Sequence, residues 1–416
     1  MSNQIGSRRA IEALRAGVPS RDAVQALGCE QIAIEEQFRA QLQAAREGTK
    51  TGEQTAGMLI AGDFGAGKSH MLEYLQHVAL EERFVCSRVV ISKETPLYDP
   101  VKFYRAAMRS AVAPGKRGAA LVEVAAHLDP VSEAYNELNA WVHNPTSGLN
   151  SRFASTLFLF KRMGMDMELR NRLVSFWSGG SLEADEIRKY LRSCGERATY
   201  KIETITHKDL ALQRFQFAPR LIVAAGYAGW VLLVDELELI GRYSWLQRAR
   251  SYADVARWLG KLPELQAVGL TTVFAIMSNF ESYVLEEKHD LETIPQKLRD
   301  KNLEEIAKQA ERGMRAINRD KARLKAPDIQ TIQTTCEKIR QIHAEAYDWQ
   351  PPPLQVERLG ITSMREYVKR WITEWDLKRL DPNYTVELTA NTLEQNYSED
   401  TALEASAEDK PESGTE

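Results

Sequence analysis

The sequence predicts an α/β fold in which a parallel sheet is flanked by helices, and three stretches predict it. Met58-Leu59-Ile60-Ala61 is an apolar run that meets a glycine-rich turn and then a helix-period pattern. Trp230-Val231-Leu232-Leu233-Val234 is a second wholly apolar run, and it closes on Asp235-Glu236. Residues 272–277 form a third, closing on Ser278-Asn279. Strands that are apolar on both sides and alternate with helices are buried on both faces, as in parallel sheets.

The glycine-rich turn carries the chemistry. Gly62, Gly67, Lys68 and Ser69 fit G-x-x-x-x-G-K-[ST], the spacing of a phosphate-binding loop between a strand and a helix. Glycines at 62, 65 and 67 allow backbone conformations closed to other residues, so that amides can turn inward around phosphate oxygens. The helix opening at Lys68, with Met71, Leu72, Leu75, Val78 and Ala79 on one face, aims its free N–H groups at the same place. Gly62, Asp63, Phe64, Gly65, Ala66, Gly67, Lys68, Ser69 and His70 are therefore the expected nucleotide contacts. Lys68 reaches the β and γ phosphates, and the Ser69 hydroxyl is a ligand for Mg²⁺. A glycine turn before an ordinary helix is the alternative, and the complete motif in its strand–loop–helix context argues against it.

The second apolar strand supplies the other half of such a site, since ligands of open parallel sheets sit above the carboxyl ends of the strands. Asp235 is expected to hold Mg²⁺ through water, and Glu236 to polarise the attacking water. On its own, a strand ending at a solvated acidic turn would be the simpler reading.

The other elements follow in order. Residues 8–14 and the trio Ile34, Phe38 and Leu42 have helical spacing, broken by Gly17-Val18-Pro19. A short strand at residues 87–91, a proline-punctuated turn and a helix from Val101 continue a β-α-β-α order. Residues 113–216 read as a helical insertion; Trp141, Phe153, Phe158, Phe160 and Trp177 are able to stack bases, but at helical apolar positions they read as core. Beyond Ser278 the chain turns charged and helical, and residues 312–325 are rich in Arg and Lys: a DNA-facing or subunit-facing patch, or a solvated helix face. Residues 362–372 read as a capped helix with Arg365 in its first turn, where the helix dipole disfavours a cation unless an anion is near. The acidic stretch from Glu394 to the end is expected to be disordered. The expected organisation is thus 1–50 N-terminal helices, 51–112 and 217–300 the two parts of the core, 113–216 the insertion, 301–393 a helical lid and 394–416 a tail.

Composition sets limits on partners. A length of 416 residues suggests two or three structural units. A formal charge of −4 excludes a global polycation, so any DNA contact must run through a local patch, dominated by phosphates and indifferent to sequence. Cys29, Cys86, Cys194 and Cys336 form no C-x-x-C pair and are expected to be reduced thiols. The N-terminal stretch lacks the apolar core of a signal peptide, and the longest apolar run, at 221–234, falls short of the ~20 residues of a membrane span. A cytoplasmic protein without membrane contact is expected.

The phosphate loop at 62–69, the helix Asp209-Leu210-Ala211-Leu212-Gln213-Arg214-Phe215 and residues 225–238 together resemble the ATP-binding BrxD family of BREX-type bacterial phage-resistance systems, itself similar to origin-recognition-type AAA+ ATPases. The resemblance runs from about Arg8 to Leu380. It implies an AAA+-like P-loop NTPase that hydrolyses ATP with Mg²⁺, works as a homo-oligomer beside other phage-defence proteins, and acts on DNA or on a partner. It further implies that Val18 and Pro19 lie over the adenine, with helix packing as the alternative. Asn279, with Ser278 close behind, would orient the water or the γ-phosphate, with a helix cap as the alternative. Arg365 would touch the γ-phosphate from the lid, and Arg299 or Arg312 would serve a neighbouring subunit. Origin-recognition proteins carry a winged helix after the lid, and too few residues follow Leu380 for one. Three readings stay open: an oligomeric machine, an ATP-dependent switch with slow hydrolysis that recruits other defence proteins, and a small-molecule kinase, which the carboxylate at Glu236 disfavours.

Overall fold

The computed structural model describes residues 2–18, 20–116, 118–263, 266–354, 363–384, 397–400 and 403. Helices α1 (Ser2–Ala16), α2 (Arg21–Leu27) and α3 (Ile32–Thr51) come first, followed by β1 (Met58–Gly62), α4 (Lys68–Glu81), β2 (Val85–Val90) and α5 (Pro100–Ser110). Then come α6 (Ala120–His127), α7 (Glu133–His143), α8 (Ser151–Arg162), α9 (Met167–Trp177) and α10 (Ala184–Ser193), and α11 (His207–Ala224) returns the chain to β3 (Trp230–Asp235). A 3₁₀ turn over Leu237–Arg242 leads to α12 (Trp245–Trp258) and β4 (Leu270–Met277), and a π-helical turn over Glu281–Glu286 to α13 (Asp290–Asp300) and α14 (Glu304–Arg319). The last elements are β5 (Lys321–Arg323), α15 (Ile329–Tyr347) and α16 (Met364–Leu380).

Among the described residues the strands form one parallel sheet in the order β2-β3-β4-β1-β5. Every residue of β1, β3 and β4 is buried, as their apolar sequences require. Helix α4, which follows β1, packs with α3 on one face of the sheet. Helices α13 and α14, which follow β4, pack on the other. The loops leaving the carboxyl ends of these neighbouring strands therefore diverge, and a crevice opens between them.

Helices α6–α10 share one continuous apolar cluster with the sheet. Phe153, Phe160 and Trp177 are buried within it, and Trp141 and Phe158 are packed against it. A separate cluster joins the N-terminal helices to the last two described helices, with α1 and α2 packing against α15 and α16 around Trp371, Trp375 and Ile339. Ser7 donates to Glu345, and Arg15 pairs with Asp376 at 2.5 Å. The N-terminal helices thus belong to the same bundle as the helices expected to form a lid.

Two elements differ from the sequence expectation. Residues 321–323 lie within a stretch read as helical, yet they form β5 and pair with Leu59, Ile60 and Ala61. Lys-Ala-Arg has no apolar alternation to reveal it; Arg323 is exposed at the sheet edge, while Lys321 is held by Glu281. Residues 397–400 lie within the stretch expected to be disordered, yet they are docked: Tyr397 is buried, Glu399 pairs with Arg248 at 2.7 Å and Asp400 with Arg242 at 2.6 Å. Acidic composition favours disorder only where no cation receives it. Leu403 packs against the main core cluster, and the other residues of that tail lie outside the described residues.

Candidate functional site

The turn after β1 is built for close approach. Gly65 and Gly67 have φ of +74° and +95°, a region that side chains rarely enter. A Cβ on Gly65 would lie 2.5 Å from Ser363 Oγ, so glycine also lets the α16 end sit on the loop. Gly67 precedes α4 without any side-chain cap, which leaves the first amides of that helix available to an anion. Lys68 is buried; its Nζ donates to the carbonyls of Gly62 (3.1 Å) and Asp63 (3.3 Å) and approaches Met277 Sδ at 2.8 Å.

Of the carboxylates at and just beyond the end of β3, Glu236 and Glu238 line the cleft beside this loop and Asp235 does not. Asp235 is buried, accepts from the Glu236 amide at 3.0 Å and pairs with Arg88 of β2 at 3.4 Å, while Arg88 also holds Glu73 of α4 at 2.7 Å. Glu236 sits at φ +59°, a left-handed conformation that is uncommon outside glycine and turns its side chain into the crevice. Its pKa is raised, first by burial and then by Asp235, with Lys68 and Arg365 pulling it down. Glu238, two residues on, is buried 4.0 Å from Lys68 Nζ and has one carboxyl oxygen without a partner.

The crevice is a cleft of about 470 Å³. Phe64 through Met71, Glu236 and Glu238 form its floor, and Gly28–Gln31 and residues 324–328, delivered by β5, form its flanks. Leu14, Val18, Leu27, Met364 and Val368 of the terminal bundle give it an apolar end, with Thr331 and Thr335 beside them. A phosphate-binding floor with an apolar end roomy enough for a base is the form of a nucleotide site. A family model described as "BREX system ATP-binding protein BrxC/D" matches residues 3–375. The chain belongs to this BrxC/D family. No curated protein matches the sequence.

In this BrxC/D-family chain seven of the expected contacts 62–70, all but Gly62 and Asp63, line the cleft. Phe64 through His70 line it, Gly62 closes β1 behind them, and Asp63 accepts a short hydrogen bond from Ser278 Oγ. His70 Nε2 also lies 3.0 Å from Gly28 O, tying α4 to the α2–α3 link. Val18 lines the apolar end; Pro19 and Thr362 lie outside the described residues. Arg365 lines the cleft with its guanidinium 5.3 Å from the Phe64 ring centre. Asn279 is half-buried and is not among the residues that line the cleft; its Oδ1 accepts from Tyr397 Oη at 3.0 Å. Arg299 is exposed and paired with Glu311 (2.5 Å) and Glu304 (3.4 Å), and Lys321 in the basic stretch is bound to Glu281. Sequence reading missed Glu238, Arg88 and residues 324–328. Glu238 carried a signal, a third carboxylate just after Asp235-Glu236; Arg88 and β5 carried none, because only the sheet order brings them to the site.

The donor set suits Mg²⁺. Ser69 lines the cleft, and Asp235 lies buried behind it, paired with Arg88; a hydroxyl and a carboxylate are the donor types that would hold a hard cation. Among the described residues no group of three or more His, Cys, Asp or Glu is placed to hold a metal alone. No described helix is long and apolar enough to cross a membrane.

Proposed function

We propose that the chain is a Mg²⁺-dependent ATPase of BREX-type phage defence, cytoplasmic, which assembles into a homo-oligomer and uses hydrolysis to act on DNA or on partner defence proteins. The observation that carries this reading is the meeting of Lys68, Glu236 and Arg365 on one cleft floored by the phosphate loop. Loop amides and Lys68 bind the phosphates, Ser69 and Asp235 hold the metal, and Glu236 takes the proton of the attacking water. Mg²⁺, when bound, neutralises charge on the β and γ phosphates. Burial raises the proton affinity of Glu236, which suits a general base better than an ordinary surface carboxylate would. Asn279 orients the γ-phosphate or the water, and Arg365 neutralises transition-state charge from α16.

A second reading, an ATP-dependent switch with slow turnover, is favoured by one feature. The base end of the cleft is made by the bundle of the N-terminal helices with the last two described helices and the phosphate end by the sheet, so a bound nucleotide touches both units. Turnover with and without single- and double-stranded DNA, with solution mass recorded with and without ATP, separates the two. DNA-stimulated turnover by an oligomer supports the machine; slow turnover by a protein indifferent to DNA supports the switch.

A further inference from the structure

Residues 397–400 form a strap across the back of the candidate site. The Tyr397 ring stacks on Tyr283 at 5.9 Å and meets Phe280 edge-on at 6.3 Å, both in the segment that follows β4. Its carbonyl accepts from Lys288 Nζ at 2.6 Å, and the same ammonium donates to Gly241 O at 2.9 Å, in the turn that follows β3. The Asp400 amide donates to Arg242 O at 3.0 Å, and its carboxylate takes the Arg242 guanidinium. Glu399 reaches Arg248, which is buried in a two-pronged pair with Asp290. One short segment therefore clamps together the two loops that leave β3 and β4.

The tyrosine hydroxyl does something more specific. It donates to Asn279 Oδ1 at 3.0 Å, one residue beyond Ser278, which is itself bonded to Asp63 of the phosphate loop. A carboxamide has an acceptor end and a donor end, and an ionised phosphate oxygen can take only the donor. By engaging Oδ1, the phenol fixes the amide so that Nδ2 is left to donate. Burial, then the carboxylates of Glu238 and Glu236, raise the pKa of Tyr397, which keeps the hydroxyl a donor at every physiological pH. Gly241 completes the contact, since a Cβ there would lie 2.8 Å from Val284 and 3.3 Å from the Tyr397 ring.

We infer that Tyr397 is a positioning residue for ATP hydrolysis, setting the rotamer and the donor face of Asn279 through a C-terminal strap that ties the β3 and β4 loops together. The inference rests on the reading of Asn279 given above. Tyr397→Phe keeps the ring stack and the backbone bonds and removes only the hydroxyl. It should lower kcat about fivefold, the loss expected for one orienting hydrogen bond, with nucleotide affinity within about twofold of wild type and only a small fall in the urea midpoint. Asn279→Ala should lower kcat at least as much, and the double variant should be no slower than Asn279→Ala alone. A wild-type kcat for Tyr397→Phe beside a slowed Asn279→Ala overturns the role of the strap, and so does a double variant in which the two losses multiply. A wild-type kcat for Asn279→Ala instead overturns the underlying assignment of Asn279.

Discussion

Replacing Glu238 by glutamine tests the electrostatics of the site without touching a phosphate contact. The carboxyl is 2% exposed, one oxygen has no partner, and the nearest cation, Lys68 Nζ, is 4.0 Å away. Burial raises its pKa from 4.5 to about 7, with Lys68 opposing the rise. Each pH unit of difference between folded and unfolded chains is worth about 1.4 kcal/mol, so this carboxyl removes about 3 kcal/mol of stability once it is ionised in both states. The sign follows from the direction. Below about pH 4.5 the group is protonated whether the chain is folded or not, and there is no penalty; from there to about pH 7 the unfolded chain ionises first and stability falls; above that the loss is constant. Glu238→Gln keeps the shape and cannot ionise. Its stability relative to wild type should therefore grow by up to about 3 kcal/mol between about pH 4.5 and about pH 8, read as urea midpoints of the two proteins at both pH values. A difference between the two proteins that does not change with pH would refute the burial argument.

Other perturbations have equally definite outcomes. Gly313→Ala places a Cβ 1.8 Å from the Tyr252 carbonyl and should force α14 off α12, costing about 3 kcal/mol or more in urea unfolding. Asp290→Asn breaks the buried two-pronged pair with Arg248 and should cost about 3–5 kcal/mol in the same measurement. If DNA is bound, its affinity should fall steeply with salt and ignore sequence; tight, salt-insensitive binding of one sequence would contradict phosphate-dominated contact. Specific activity should rise with protein concentration. Mixing Arg299→Ala with Lys68→Ala subunits should restore activity, provided Arg299 can leave Glu311 for a neighbouring γ-phosphate; no rescue would move that role to Arg312.

What the sequence made legible was whatever is local. The phosphate loop needs glycines at fixed offsets between a strand and a helix, and β3 needs an unbroken apolar run, so both could be read directly. Strand ends shifted by one or two residues, as for Leu270–Met277 against 272–277, because hydrogen bonding continues past the apolar core. What could not be read depends on distant partners. The edge strand β5 exists because β1 offers it an open side, and α1 meets α15 only once the chain has closed on itself. Arg88 looks like any strand arginine until β2 and β3 pair and set it against Asp235. The docking of residues 397–400 follows the same logic, since Glu399 and Asp400 are ordinary acidic-tail residues until Arg248 and Arg242 receive them.

The central claim is that this cleft hydrolyses ATP through Glu236, and single-turnover phosphate release tests it most directly. With Mg²⁺, the wild-type protein should release phosphate from ATP, whereas Glu236→Gln should bind ATP with near-wild-type affinity and release almost none. Lys68→Ala, in the same assay, should fail at binding. Phosphate release by Glu236→Gln at the wild-type rate would contradict the account.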